Sequence, residues 1–387
     1  MPSLTVNAQT LRDALAPLAG STKNPLSGSR VAITVGDDPE IYQPVFYASD
    51  YITSVSVTLS AGGDDWDGDT DVFPIYTDYD RLCRILDLGK NDITLDVNDS
   101  SLSITGEGIS ASLPVASDEL GRTPMDNVAI CAVLAADLLA AMQAVDHAAA
   151  TATGQDRFKC VAFTFDGDAP LCLSATDGIM AAYHEIPQQP PLFSDETVAR
   201  RTLLVPIAQA KALTAIVSKL AGIVELGATE STFHVRARGI HWQSATLGLA
   251  WQDIRKVREG WDDEGMHTAI VDRAELLNAL RVTNTFETRT DNDRYSTTSF
   301  SASPDGISVI ASGSQGQATI TIPGQTDDTF SFRANTGHLL RSVNAYRSDE
   351  ILVMTGREKG GIIVASELTG GAQLVAPIKT ESELNGN

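Results

Sequence analysis

The chain has 387 residues, room for two or three domains that each bury a core of their own. Its 28 Lys and Arg stand against 50 Asp and Glu, a net charge of −22, so the average surface field repels nucleic acid and any such contact must be local. A hydrophobic content of 43% with glycine and proline dispersed along the chain excludes a disordered or collagen-like polymer.

Apolar stretches such as 128–136 fall short of the ~18 residues that span a bilayer, so no membrane segment is expected. Residues 1–19 lack a basic segment followed by an apolar run, and a cytoplasmic protein is expected. Cys83, Cys131, Cys160 and Cys172 occur singly, which predicts reduced, buried thiols rather than a metal or redox site.

In chain order, Leu4–Val6 reads as a strand, with Asn7 capping a helix over 8–19 whose Leu11, Leu15 and Leu18 share a face. Strands follow at Val31–Val35 and Ile52–Leu59, then an acidic run, 64–71. A calcium loop needs a bidentate Glu about six residues past its glycine, and the residue six past Gly68 is Pro74, so this run predicts a solvated hairpin tip. A helix over 78–88 with Leu82, Ile85 and Leu86 precedes strands at Ile93–Val97 and Ser101–Thr105. Residues 116–126, with Gly121 and Pro124, read as a linker.

The order then starts again. A strand at 128–130 leads into a helix over 135–149 with Leu138 and Val145. Strands at Val161–Phe165 and Leu171–Ala175 are joined across Asp166-Gly167, and a helix over 206–221 carries Leu213, Val217 and Leu220. The stretch 258–265 is charged and without period, a second linker. A third start at Ala269–Val271, with Asp272 as cap, leads into a helix over 272–283 with Leu276 and Leu280. Strands at Thr298–Ala302 and Ile307–Ala311 are joined across Asp305-Gly306, and a helix over 336–347 carries Leu339, Val343 and Tyr346. After the first helix the second copy reads Gln155-Asp156-Arg157-Phe158 and the third Asn292-Asp293-Arg294-Tyr295. The chain therefore predicts three α+β domains, 1–120, 126–256 and 266–380, and a tail, 381–387.

Three tandem units of this order resemble the bacterial-type DNA polymerase sliding clamp, the β subunit of the replicative polymerase. The resemblance rests on Ala175-Thr176-Asp177-Gly178 at a strand end, Pro206 opening a helix, Ser112-Leu113-Pro114, and the terminal strand Leu374–Ile378. It implies a head-to-tail homodimer in which six domains form a ring, strands outside and helices lining a hole for double-stranded DNA. It also implies a replicative DNA polymerase and a clamp loader as partners. Where the family often continues with His-Arg-Leu, this chain has Ile179, Met180 and Ala181, and its tail extends beyond the family's usual end. Both departures would suit a divergent or virus-encoded clamp.

The six expected helices hold nine basic and eight acidic residues, so they sum to +1 while the rest of the chain holds −23. That segregation suits helices facing phosphates. Duplex contacts are expected from Arg12, Arg81, Arg84, Arg157, Lys211, Lys219, Arg273, Arg281, Arg341 and Arg347. Lys23 and Gln155 join them at positions where the resemblance implies contacts. The resemblance places a partner-peptide pocket between the second and third units, at Thr176, Gly178, Ile179, Met180, Val217, Lys256, Val257, Val375, Pro377 and Ile378.

Six histidines without a H-x-x-x-H spacing, and the absence of a Walker loop or a strand-to-helix G-x-G-x-x-G, point to no metal, no cofactor and no catalytic residues. Two other readings stand beside the clamp: a clamp-fold scaffold that does not encircle DNA, and an enzyme using the acidic run 64–71 with a divalent metal.

Overall fold

The structure is a computed structural model that describes residues 1–24, 28–36, 43–59, 66–67, 73–98, 100–116, 129–150, 155–189, 200–261, 265–286, 297–313, 316–326, 328–356, 361–366 and 370–378. Most of the acidic run, most of the first linker, Asn292–Tyr295 and the tail lie outside the described residues.

Seven helices are described: α1 (Ala8–Leu15), α2 (Tyr79–Leu86), α3 (Ala135–Val145), α4 (Ile207–Val217), α5 (Ile254–Glu259), α6 (Arg273–Thr283) and α7 (Thr336–Asn344). Asn7, Asp78, Asp272 and Asn335 each stand in extended backbone before a helix. Their side-chain oxygens accept from Thr10 N, Arg81 N, Glu275 N and His338 N at 2.8–3.3 Å, satisfying amides that the first turn leaves unpaired. The expected apolar faces are buried: Leu11 and Leu15 in α1, Leu82 and Leu86 in α2, Leu276 and Leu280 in α6, Leu339 and Val343 in α7. The first helix is shorter than expected. It tightens into a 3-10 turn, Ala16–Gly20, where Pro17 has no amide to donate.

A strand, a helix and three strands recur six times, twice in each sequence repeat, with two further two-residue strands, Lys23–Asn24 and Gly324–Gln325. The sequence expectation lacked the strand entering each second helix, namely Ile75–Asp78, Arg201–Pro206 and Phe330–Asn335. It also lacked Pro44–Ser49, which lies between the two expected strands of the first repeat. Every residue of that strand is buried, so it shows no alternation to read. The hairpins across Asp166-Gly167 and Asp305-Gly306 form as expected, with Gly167 and Gly306 at φ of 55° and 144°.

Pairing follows one rule. The strand entering each helix joins the three strands that follow the other helix of its repeat: Ser3–Asn7 pairs with Asp92–Val97, and Ile75–Asp78 with Gly28–Val35. The same exchange pairs Ala129–Leu134 with Ile223–Ala228, Arg201–Pro206 with Cys160–Phe165, His267–Asp272 with Glu350–Thr355, and Phe330–Asn335 with Thr297–Ser303. Sheets then join between repeats: Thr53–Thr58 pairs with Ile240–Ala245, and Met180–Ile186 with Gly371–Val375.

Contacts divide the chain into two compact units. The first (1–136, 189–196, 211–246) holds a four-stranded and a nine-stranded sheet, with Phe46, Phe233 and Trp242 fully buried. The second (137–188, 197–210, 247–387) again holds a four-stranded and a nine-stranded sheet, around Phe163, Phe165 and Phe300. Strands of the segment 126–256 are thus shared between the two units.

Candidate functional site

The second unit carries an apolar cleft at the turn after strand Leu171–Thr176. The turn is built by its own side chains. Asp177 Oδ1 accepts from Ile179 N at 2.9 Å and Met180 N at 2.8 Å. Thr176 Oγ1 accepts from Gly178 N at 3.0 Å and donates to Met180 O at 2.6 Å. Gly178 has φ of 93°, and a Cβ there would stand 3.3 Å from the Phe158 ring, so the position favours glycine on both counts.

From below, the turn is tied to helix α7. The second oxygen of Asp177 lies 3.5 Å from both His338 Nε2 and an Arg341 guanidinium nitrogen. Arg341 also donates to His147 O at 3.0 Å, and His147 Nε2 donates to Gln373 Oε1 at 2.9 Å. Gln373 in turn donates to Ala144 O at 3.0 Å. Burial holds the His147 imidazole down at about 4, and burial likewise lowers His338 despite the Asp177 charge. Both rings are therefore neutral near pH 7, and the network carries one ion pair.

The other wall comes from α5, which the sequence reading did not mark as a helix and whose last two residues fall in the expected linker 258–265. Asp253 caps it, accepting from Arg255 N at 3.0 Å, and Arg200 reaches the same carboxylate at 2.5 Å. Burial would raise the Asp253 carboxyl, but hydrogen bonds and charge from Arg255, with Arg200, hold it below its usual value. Arg255 also pairs with Glu185 at 3.1 Å. Ile254 is buried on the sheet with Tyr183, Ile363 and Leu374, with Trp251, Val257 and Trp261 packed against them. Trp251 donates its indole N–H to Ser174 Oγ at 3.1 Å.

The resulting cavity, about 280 Å³, is lined by five of the ten expected pocket residues: Thr176, Gly178, Ile179, Met180 and Val257. Met180, 1% exposed, is core and floor at once, whereas Ile179, 39% exposed, stands at the rim. The other five lie elsewhere. Lys256 lines an adjacent charged groove, and Val375 is fully buried opposite Met180 in the ladder. Pro377 and Ile378 bond to strand Phe330–Asn335. Val217 is fully buried in α4, in the part of that helix assigned to the first unit. The sequence reading missed Phe158, Trp251, Ile254 and Trp261. Their only sequence signal is that two of the four tryptophans fall within eleven residues.

Of the expected DNA contacts, Arg12, Arg81, Arg84, Gln155, Lys211, Lys219, Arg281 and Arg347 are exposed, and Arg273 and Arg341 half-buried. Arg12 pairs with Asp87, Arg81 lies 3.7 Å from Asp78, and Arg347 donates to Gln143 at 2.8 Å. Arg273 donates to Val343 O at 3.2 Å. Arg157 lines the cleft, with its guanidinium carbon 4.9 Å from the Phe158 ring centre. The Lys23 side chain is outside the described structure. Among the described residues no group of three or more His, Cys, Asp or Glu could hold a metal, and no helix is long and apolar enough to cross a membrane.

No family model and no curated protein matches the chain. Solved structures match along its whole length. A DNA polymerase sliding clamp from Pseudomonas aeruginosa, solved with a ligand, has a TM-score of 0.83 at 16% identity, covering 98% of this chain and 100% of that one. A second structure, of a sliding clamp (DNA polymerase III subunit beta) from the same organism bound to griselimycin, gives 0.84 at 15% over 98% and 100%. The sliding clamp of Bacillus subtilis gives 0.81 at 15% over 98% and 99%. The chain has the α+β fold of sliding clamps, in which strands dominate.

Proposed function

We propose that this chain is a DNA sliding clamp: a head-to-tail homodimeric ring of three clamp-type domains per chain, 1–120, 126–256 and 266–380, that encircles double-stranded DNA. It tethers a replicative polymerase, receives a loader, and catalyses nothing itself. The observation that carries this reading is the correspondence of 98% of the chain to the whole of a clamp.

The pairing rule supports the ring. In two places the last strand after a repeat's first helix pairs with the last strand after the next repeat's second helix, Thr53–Thr58 with Ile240–Ala245 and Met180–Ile186 with Gly371–Val375. Two strands in equivalent positions stand at sheet edges among the described residues: Gly316–Ile322 in the third repeat and Ile109–Pro114 in the first. An edge left bare is a template for another chain, and a second copy supplies the complement of each. Two such joints close a ring.

Function then needs no reactive group. Topological linkage replaces affinity, and phosphate contacts that read no base let the ring slide. The apolar cleft suits a short peptide from a partner.

Sedimentation at micromolar concentration should give a dimer. The dimer, incubated with linear duplex blocked at one end and then capped at the other, should stay on the DNA through a high-salt wash and leave when the cap is cut. A monomer, or retention that ignores the caps, would overturn the ring.

A further inference from the structure

Among the described residues the apolar cleft has one charged side chain in its lining. Arg157 stands among Phe158, Ile179, Met180, Trp251, Trp261 and Leu374. Its Nε is screened from solvent and meets no acceptor among the described residues. The carboxylates nearest in sequence and in the turn are committed elsewhere: Asp156 to Lys159 Nζ at 3.1 Å, and Asp177 to its own turn, His338 and Arg341. A guanidinium against an apolar wall is costly without a counter-charge, and its planar fork matches a carboxylate.

We propose that Arg157 is a specificity-determining residue of the cleft, which takes the C-terminal end of a partner peptide: an apolar last residue in the cavity and its terminal carboxylate on the guanidinium. This rests on reading the cleft as the partner-peptide site. The size of the cavity favours a terminus over an internal acidic residue. About 280 Å³ lies at the small end of ligand clefts and suits one or two apolar side chains. In an extended peptide the side chain next to the anchor points to the opposite side. A terminal carboxylate, in contrast, sits on the anchor residue itself.

Trp251 and Trp261 in the cleft lining provide an intrinsic fluorescence signal for titrating the full-length protein. The probes are acetyl-Ser-Leu-Leu-Phe as the free acid, the same peptide as carboxamide, and acetyl-Ser-Asp-Leu-Phe-carboxamide. The free acid should bind wild type about tenfold more tightly than either amide. In Arg157→Gln its affinity should fall to that of the amides, with theirs unchanged. Equal binding of acid and amide to wild type, a comparison that needs no variant to fold, overturns the proposal. A preference that survives in Arg157→Gln overturns the role of Arg157. If the Asp-containing amide matches the free acid, the terminal form is overturned in favour of an acidic side chain. If no probe binds saturably, the peptide reading of the cleft fails together with this assignment, while the ring stands or falls on the capped-DNA experiment.

Discussion

His147 shows how one buried ring makes stability depend on pH. In the unfolded chain an imidazole takes up a proton near pH 6.5, whereas here burial delays it to about pH 4, with the Arg341 charge opposing protonation and Asp177 favouring it. Between those values the unfolded state holds more protons, so this contribution is complete above about pH 6.5 and is lost as pH falls towards 4, about 3 kcal/mol in all. His147→Gln keeps a donor for Gln373 and removes the titration. Urea midpoints should show it losing about 2 kcal/mol less than wild type between pH 7 and pH 5. Two neighbours in the turn separate core from rim. Met180→Asp buries a charge on the cleft floor and should cost several kcal/mol, while Ile179→Asp, at the exposed rim, should stay within about 0.5 kcal/mol and still abolish peptide binding. Thermal melts and peptide titration of both variants check this. The sequence placed both residues in the pocket but did not separate their burial, because that depends on the strand Gly371–Val375 lying across Met180.

Elements were legible where period and cap agreed. Asn7 and Asp272, followed by leucines at helical spacing, marked α1 and α6, and both caps form. Pro44–Ser49 was hidden because burial of every residue erases the alternation that reveals a half-exposed strand. Helix α5 was hidden for the opposite reason: in Ile-Arg-Lys-Val-Arg-Glu two apolar residues are too few to define a period. Its stability comes from the Asp253 cap, the pairs with Arg200 and Arg255, and Ile254 on the sheet. Asp253→Ala should therefore cost about 1–2 kcal/mol and shift tryptophan emission to the red as Trp251 and Trp261 become wetter, with the sheet intact by circular dichroism. An unchanged emission maximum would mean the helix does not depend on its cap. With α5 unseen as a helix, Trp251, Ile254 and Trp261 were left out of the pocket, although Val257, on the same helix, was placed in it.

On the scale of the whole chain, a net charge of −22 means that a polyanion must be held by local groups of exposed cations, and the helices carry several. They are not equivalent. Arg12 is already neutralised by Asp87, whereas Arg84, Lys211, Lys219 and Arg281 are exposed with no ion pair among the described residues. Replacing any of these four by Gln should lower the slope of log affinity against log salt on uncapped linear duplex by about one, without changing sequence preference. Arg12→Gln should lower it by less. A base-specific loss for any of them would contradict a sliding contact.

The joints between repeats also set the timing of folding during synthesis. Val55 finds its partner in Trp242, and Met180 in Val375, 187 and 195 residues further along the chain. At about 5–20 residues per second the ribosome takes roughly 10–40 s to deliver the second strand of each pair. Through that interval Thr53–Thr58, and later Met180–Ile186, present an open row of amides and carbonyls beside the nascent chains of neighbouring ribosomes. Production of this protein is thus exposed to co-translational mispairing at those two strands, and a slower message lengthens the exposure in proportion.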